Sequence, residues 1–151
     1  MHPKRKSIAL TVDWEECCKK RIVKSVKPDA NMMDSLTKSS KNKLESESKL
    51  MMSDVTATSK LSLAYDSLRE LLEVLALKNG YKIYNHECYS AFLKEIIGES
   101  SKGDEFDDIR KTRNAVNYYG KYISTEEANE IITRIKNLRI FMSKTLRTKV
   151  Q

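Results

Sequence analysis

Proline and glycine are scarce, two and four residues in a chain of 151. That leaves little material for the tight turns of a many-stranded sandwich or barrel, so a turn-rich β fold is excluded and helix is expected. Long apolar runs are missing as well. The greasiest stretch, LLEVLALK at 71–78, is broken by Glu73 and is far too short to cross a bilayer. The opening MHPKRKSIALTVDW is basic, but its apolar part is too short for a secretory leader. A soluble protein with no membrane partner is expected. Cysteine is limited to Cys17, Cys18 and Cys88, which have no metal-ligand spacing, and the adjacent two are poorly placed to bridge each other. An odd count without a leader reads most simply as reduced thiols in a cytoplasmic protein. No metal and no cofactor are implied.

What is present is charge and helical periodicity. Lysine and arginine total 28 against 21 acids, a net charge of +7 with a pI near 9.2. That balance favours anionic partners, whether RNA, nucleotides or acidic proteins, without choosing among them. The few helix breakers, Pro28, Gly80, the pair Gly98 and Gly103, and Gly120, divide the chain into segments. Val12 to Val26 reads as a first helix and Ala30 to about Met52 as a second, with the polar middle SSKNKLESESK. The clearest runs from about Thr56 to Asn79, where Leu61, Ala64, Tyr65, Leu68, Leu71, Leu72, Leu75 and Ala76 recur at helical spacing. Its face is wide enough for the centre of a bundle, and Asn79-Gly80 is a natural stop.

Asn85 is placed to cap a fourth helix through Cys88, Phe92 and Ile96, and Asp104 a fifth that ends at Gly120. Ser124-Thr-Glu-Glu127 has capping-box spacing and opens a sixth, striped by Ala128, Ile131, Ile135, Leu138 and Met142. No alternating stretch is long enough to predict a strand. The expected fold is all-α, an antiparallel bundle of five to six helices. Residues 1–55 read as a helical extension packed on a bundle core at 56–151.

A bundle core accounts for the stripes but not for IRKTRNAVNYYG at 109–120. Arg113 falls near the face of Phe106, Ile109 and Val116, and a guanidinium on an apolar stripe needs partners because desolvating it is costly. One reading pairs it with Asp66, Glu70 or Glu73 on a neighbouring helix. The other places Arg113 and Asn114 in a polar cleft, where the arginine fork matches two phosphate oxygens. Tyr81 and Tyr84 flanking Lys82 also suit RNA, although a tyrosine-rich loop packs on a bundle just as readily.

Arg110-Lys-Thr-Arg113-Asn114 ahead of a glycine and a last amphipathic helix resembles the signature of HEPN domains. Residues 64–93, AYDSLRELLEVLALKNGYKIYNHECYSAFL, resemble the central helices of archaeal members. The resemblance covers about 56–146 and leaves out the first 55 residues. It implies a helical homodimer with two copies of the motif across one cleft. Many HEPN proteins cut RNA without metal, using an arginine and, four to six residues later, a histidine. Others pair with minimal nucleotidyltransferases in toxin–antitoxin modules, which makes such a protein a candidate partner.

Arg113 and Asn114 match the family's Arg-Asn, but the histidine window holds Tyr118, Tyr119 and Gly120. Phenols ordinarily titrate at about 10, so a tyrosine does not do a histidine's work at neutral pH. It still donates hydrogen bonds to phosphate or stacks on a base. His86, opening the fourth helix, is the other candidate base, and His2 sits near the start of the chain. The expected catalytic set is therefore Arg113, Tyr118 and His86. The expected ligand-binding set is Arg110, Arg113, Asn114, Asn117, Tyr118 and Tyr119. The expected function is RNA or nucleotide binding with weak or no cleavage. The alternatives are an active metal-independent ribonuclease toxin and a purely structural interaction module.

Overall fold

The computed structural model describes residues 12–148, so His2 lies outside it. Among the described residues the fold is all-α, with one small ribbon. The helices are α1 (Trp14–Lys19), α2 (Ala30–Lys49), α3 (Ala57–Lys78), α4 (Glu87–Ala91), α5 (Ser100–Tyr119) and α6 (Thr125–Arg147). A π turn, Phe92–Ile96, continues α4. No helix is long and apolar enough to cross a membrane among the described residues.

The central element is α3. Leu61, Leu68, Leu72 and Tyr65 are fully buried on it, and burial continues round the helix to Ser67, Glu70, Glu73 and Val74. α2 and α6 pack along it, with the segment Tyr81–Ile83 and α5 completing its surroundings. Full burial of each leucine stabilises by about 1.5–3 kcal/mol, which makes this helix the chief source of core energy.

The polar middle of α2 is helical because its serines have work at the helix contact. Ser40 Oγ donates to the Ser67 carbonyl at 2.7 Å, and Ser67 Oγ donates back to the Ser40 carbonyl at 2.8 Å. Small side chains let the backbones approach, and the reciprocal bonds satisfy the buried hydroxyls. Lys60, buried on α3, pairs with Glu47 at 2.8 Å and donates to the Glu47 and Leu50 carbonyls, closing the C-terminus of α2. Lys78 does the same for α6 through the Leu146 carbonyl.

The first helix is shorter than its pattern predicts. Asp13 caps α1 by accepting from the Glu16 amide at 2.8 Å, but Arg21 takes a φ of 60° and ends it. Val23–Ser25 then forms β1, antiparallel to β2 (Tyr81–Ile83), with Val23 opposite Ile83. A three-residue strand has too little alternation to announce itself, and its partner is distant in sequence. The fifth helix starts before its expected cap. Asp104 instead pairs with Lys94 at 2.7 Å, and α5 opens at Ser100. Gly103 is not a breaker but a contact point, since a Cβ there would lie 2.8 Å from the Ser90 carbonyl oxygen. Gly120, at a φ of 67°, does end α5, and Ser124 and Glu127 form the predicted capping box.

The expectation of three reduced thiols is overturned. Cys17 and Cys88 form a disulfide with Cα atoms 6.2 Å apart, tying α1 to α4, while Cys18 is free and exposed. Neighbours on a helix point in different directions, so Cys17 enters the core and Cys18 does not. Residues before 56 contribute Cys17 and Val23 to the same core cluster as α3. Trp14 packs on Tyr81 and Phe92, and its amide donates to Glu95.

Candidate polar site on α3, α4 and α5

α5 carries Arg110, Arg113, Asn114 and Asn117 at helical spacing; Arg113 and Asn117 reach α3, and the two arginines have different fates. Arg110 turns back on its own helix, where Nε and Nη2 grip Asp107 Oδ1 at 3.0 and 2.8 Å. Its charge is met by a carboxylate on the same surface. Arg113 lies over the Tyr65 ring at 4.8 Å from the centroid and beside the Tyr118 ring at 5.3 Å. Its Nη1 donates to the Tyr118 hydroxyl at 3.1 Å and, at 3.5 Å, to Asn114 Oδ1. Its Nε is buried and has no hydrogen-bond partner among the described residues.

Of the three acids considered for Arg113, only Asp66 approaches it, at 3.8 Å. Glu70 is taken by Lys43 at 2.7 Å, and Glu73 by Arg69 at 2.8 Å together with Lys82. Close pairs elsewhere in the bundle lie near 2.7–2.8 Å, so the Asp66 contact is loose by comparison. Rings, not carboxylates, hold the Arg113 guanidinium. A cation over an aromatic face gains about 0.5–2 kcal/mol, depending on desolvation.

Tyr65 joins this arginine to His86. Its ring is fully buried, stacked on Phe106, while its hydroxyl lies 3.0 Å from His86 Nδ1. Which atom donates depends on the imidazole tautomer. Burial first, and then the positive charges of Arg69, Arg113 and Arg110, push the His86 pKa down to about 4. The imidazole is therefore neutral at pH 7 and a weak base. Burial also raises the titration of Tyr65 well above the usual phenol range, so its hydroxyl stays protonated.

The structure thus brings Arg113, Asn114 and Tyr118 together and reaches His86 through Tyr65. Asn117 is occupied elsewhere, exchanging contacts with Ser62 on α3 at 3.2–3.4 Å. Tyr119 is 84% exposed, and its ring is not stacked on any other among the described residues. The stretch after Gly80 is strand β2 rather than a loop, and Lys24 of β1 and Lys82 of β2 both lie near the Tyr84 ring. The residue that the sequence reading missed is Tyr65, which sits in the leucine stripe of α3 and reads there as core. Its hydroxyl was the available signal, because a buried tyrosine needs a hydrogen-bond partner. No protein family, curated protein or solved structure matches the chain.

Proposed function

We propose that this chain is a HEPN-like, dimeric helical protein that binds RNA or a nucleotide by a phosphate group at Arg113, with little or no cleavage. The observation that carries the reading is the state of that arginine. Aromatic rings seat it, its nearest carboxylate is 3.8 Å away, and its Nε donor has no partner among the described residues. With Nε buried and Nη1 given to Tyr118 and Asn114, the loosely paired Nη2 and the positive charge are what this guanidinium offers an oxyanion. Asn114 and Tyr118 adjoin the same point, whereas Arg110, gripped by Asp107, adds field more than a free fork.

Weak cleavage follows from the candidate bases. General-base catalysis works best when the base titrates near the working pH, and His86 at about 4 is too acidic for that at pH 7. A ribonuclease toxin paired with a nucleotidyltransferase is the runner-up, and it requires another base. A cytoplasmic setting belongs to the same proposal. An internal disulfide accords with it in hyperthermophilic archaea, whose intracellular proteins are disulfide-rich.

The test is Arg113→Ala, measured with a fluorescently labelled RNA oligomer and with ATP. Binding should weaken at least tenfold, while stability falls by only about 1–2 kcal/mol, the worth of a ring contact and a loose, partly exposed ion pair. A loss of roughly 3–5 kcal/mol with binding intact would mark a buried structural pair and sink the proposal. On the same RNA without metal, wild-type cleavage should stay near background, and Tyr118→His should be the variant that gains activity.

A further inference from the structure

Tyrosine is the aromatic residue that this chain leaves in water, and it does so mostly in one place. Of its seven tyrosines, Tyr65 and Tyr89 are buried and Tyr81 is half-buried. The other four are exposed. Three of these, Tyr118, Tyr119 and Tyr122, lie close together at the end of α5, exposed by 66, 84 and 70%. Gly120, at a φ of 67°, turns the chain between them, and the Lys121 amide holds the turn by donating to the Ala115 carbonyl at 3.0 Å. None of the three rings packs on another aromatic ring among the described residues. Rings this exposed add little to the stability of the fold, because surface positions away from packed features contribute little to it. Single apolar groups on a surface need no explanation, but a cluster marks a contact surface.

The charge around the rings selects the kind of partner. From 109 to 125 the chain carries Arg110, Lys111, Arg113 and Lys121 and no acid. Lys121, between Tyr119 and Tyr122, has no carboxylate within 4.0 Å among the described residues. Nearby acids are engaged: Asp107 with Arg110 and Lys111, Asp108 with Arg134, and Glu127 with the Ser124 amide. Asp66 opposes negative charge from 3.8 Å beyond Arg113. Tyr118 joins the rings to that arginine, which lies 5.3 Å from its centroid and donates to its hydroxyl at 3.1 Å. A fitting partner combines negative charge with flat unsaturated faces. An acidic peptide brings the charge without the faces, and a second copy of this chain brings the same positive charge.

We propose that Tyr119 and Tyr122, together with Tyr118, stack the bases of a single-stranded nucleic acid whose phosphate meets Arg113. The inference rests on the Arg113 reading and narrows it, from RNA or a nucleotide to an unpaired strand. Every base has a π face, so this stacking is indifferent to sequence, while Arg113 and Lys121 meet the backbone. Paired bases keep those faces against their own neighbours, which makes a duplex the poorer ligand. A mononucleotide brings one base and gains least.

The probes are a labelled single-stranded RNA of mixed sequence, an abasic sugar–phosphate oligomer of equal length and an RNA hairpin, compared by fluorescence anisotropy. Each stacked base is worth about five- to 150-fold in affinity. The wild type should therefore bind the intact strand at least tenfold tighter than the abasic oligomer or the hairpin. The double variant Tyr119→Leu, Tyr122→Leu keeps apolar bulk without a flat face and should close most of that gap. Tyr119→Phe with Tyr122→Phe should preserve it. Tyr118 is left intact because its hydroxyl serves Arg113. Equal affinity for the intact and abasic strands, or leucine variants that keep the gap, would overturn the proposal. So would a change of oligomeric state in the leucine variant by light scattering, which assigns the rings to a second copy. Arg113→Ala should weaken both strands alike and leave the gap. A gap without any Arg113 effect would sink the phosphate reading and leave stacking standing, and an Arg113 effect without a gap would do the reverse.

Discussion

Reduction of the Cys17–Cys88 bridge should be the most damaging mild treatment of this protein. The bonded cysteines are 71 residues apart, so the bridge holds nearly half the chain in a loop. Loop-closure entropy for that length restricts the unfolded chain by about 4 kcal/mol at 25 °C in the chain-entropy account. For a domain of this size each kcal/mol shifts the melting temperature by about 2–4 °C, so reduction should lower it by roughly 10–15 °C. The folded state loses less, because Trp14 still packs on Tyr81 and Phe92 and its amide still reaches Glu95. The assay is a thermal melt with and without a phosphine reductant, alongside thiol counting in denaturant. Unreduced protein should show one reactive thiol, from Cys18, and reduced protein three. Cys18→Ser should leave the reductant-induced drop unchanged. Three thiols before reduction, or a melting temperature indifferent to reductant, would refute the reasoning.

His86 gives a pH signature. It titrates near 4 in the folded protein against about 6.5 in the unfolded chain, so between these values only the unfolded chain takes up the proton. Stability should therefore fall as pH drops from about 6.5 towards 4. The full shift amounts to about 3 kcal/mol, reduced to about 1–2 kcal/mol by solvent screening of a partly exposed ring. Urea melts across that range should show the slope, and His86→Gln should flatten it; an unchanged slope in the variant would refute the assignment. Gly103→Ala should destabilise by about 1–3 kcal/mol despite alanine's higher helix propensity, because backbone at Ser90 cannot yield as a side-chain tip can. A more stable variant by denaturant melting would show that α4 and α5 separate easily.

Elements whose signals are local were legible in the sequence. The leucine stripe of α3, the capping box at Ser124 and Glu127, and the stop at Gly120 each depend on residues within a turn or two, and all three stand as their spacing predicts. Arg113 was legible too, as an arginine on an apolar face that needed an explanation. The folded chain alone decided what that arginine meets. Asp66, Glu70 and Glu73 lie within eight residues of one another, yet helix geometry sends them to different neighbours, so only Asp66 reaches it.

The same limit hid the β1–β2 pairing, the joining of Cys17 to Cys88 and the role of Tyr65 between Arg113 and His86. Each of these is a meeting of residues far apart along the chain, whose partner no local spacing can name. Periodicity in the sequence determined which faces of the helices turn inward. Only the packing of α2, α4, α5 and α6 around α3 decided which charges are neutralised, because the energy of a half-buried charge depends on what lies within a few ångströms of it.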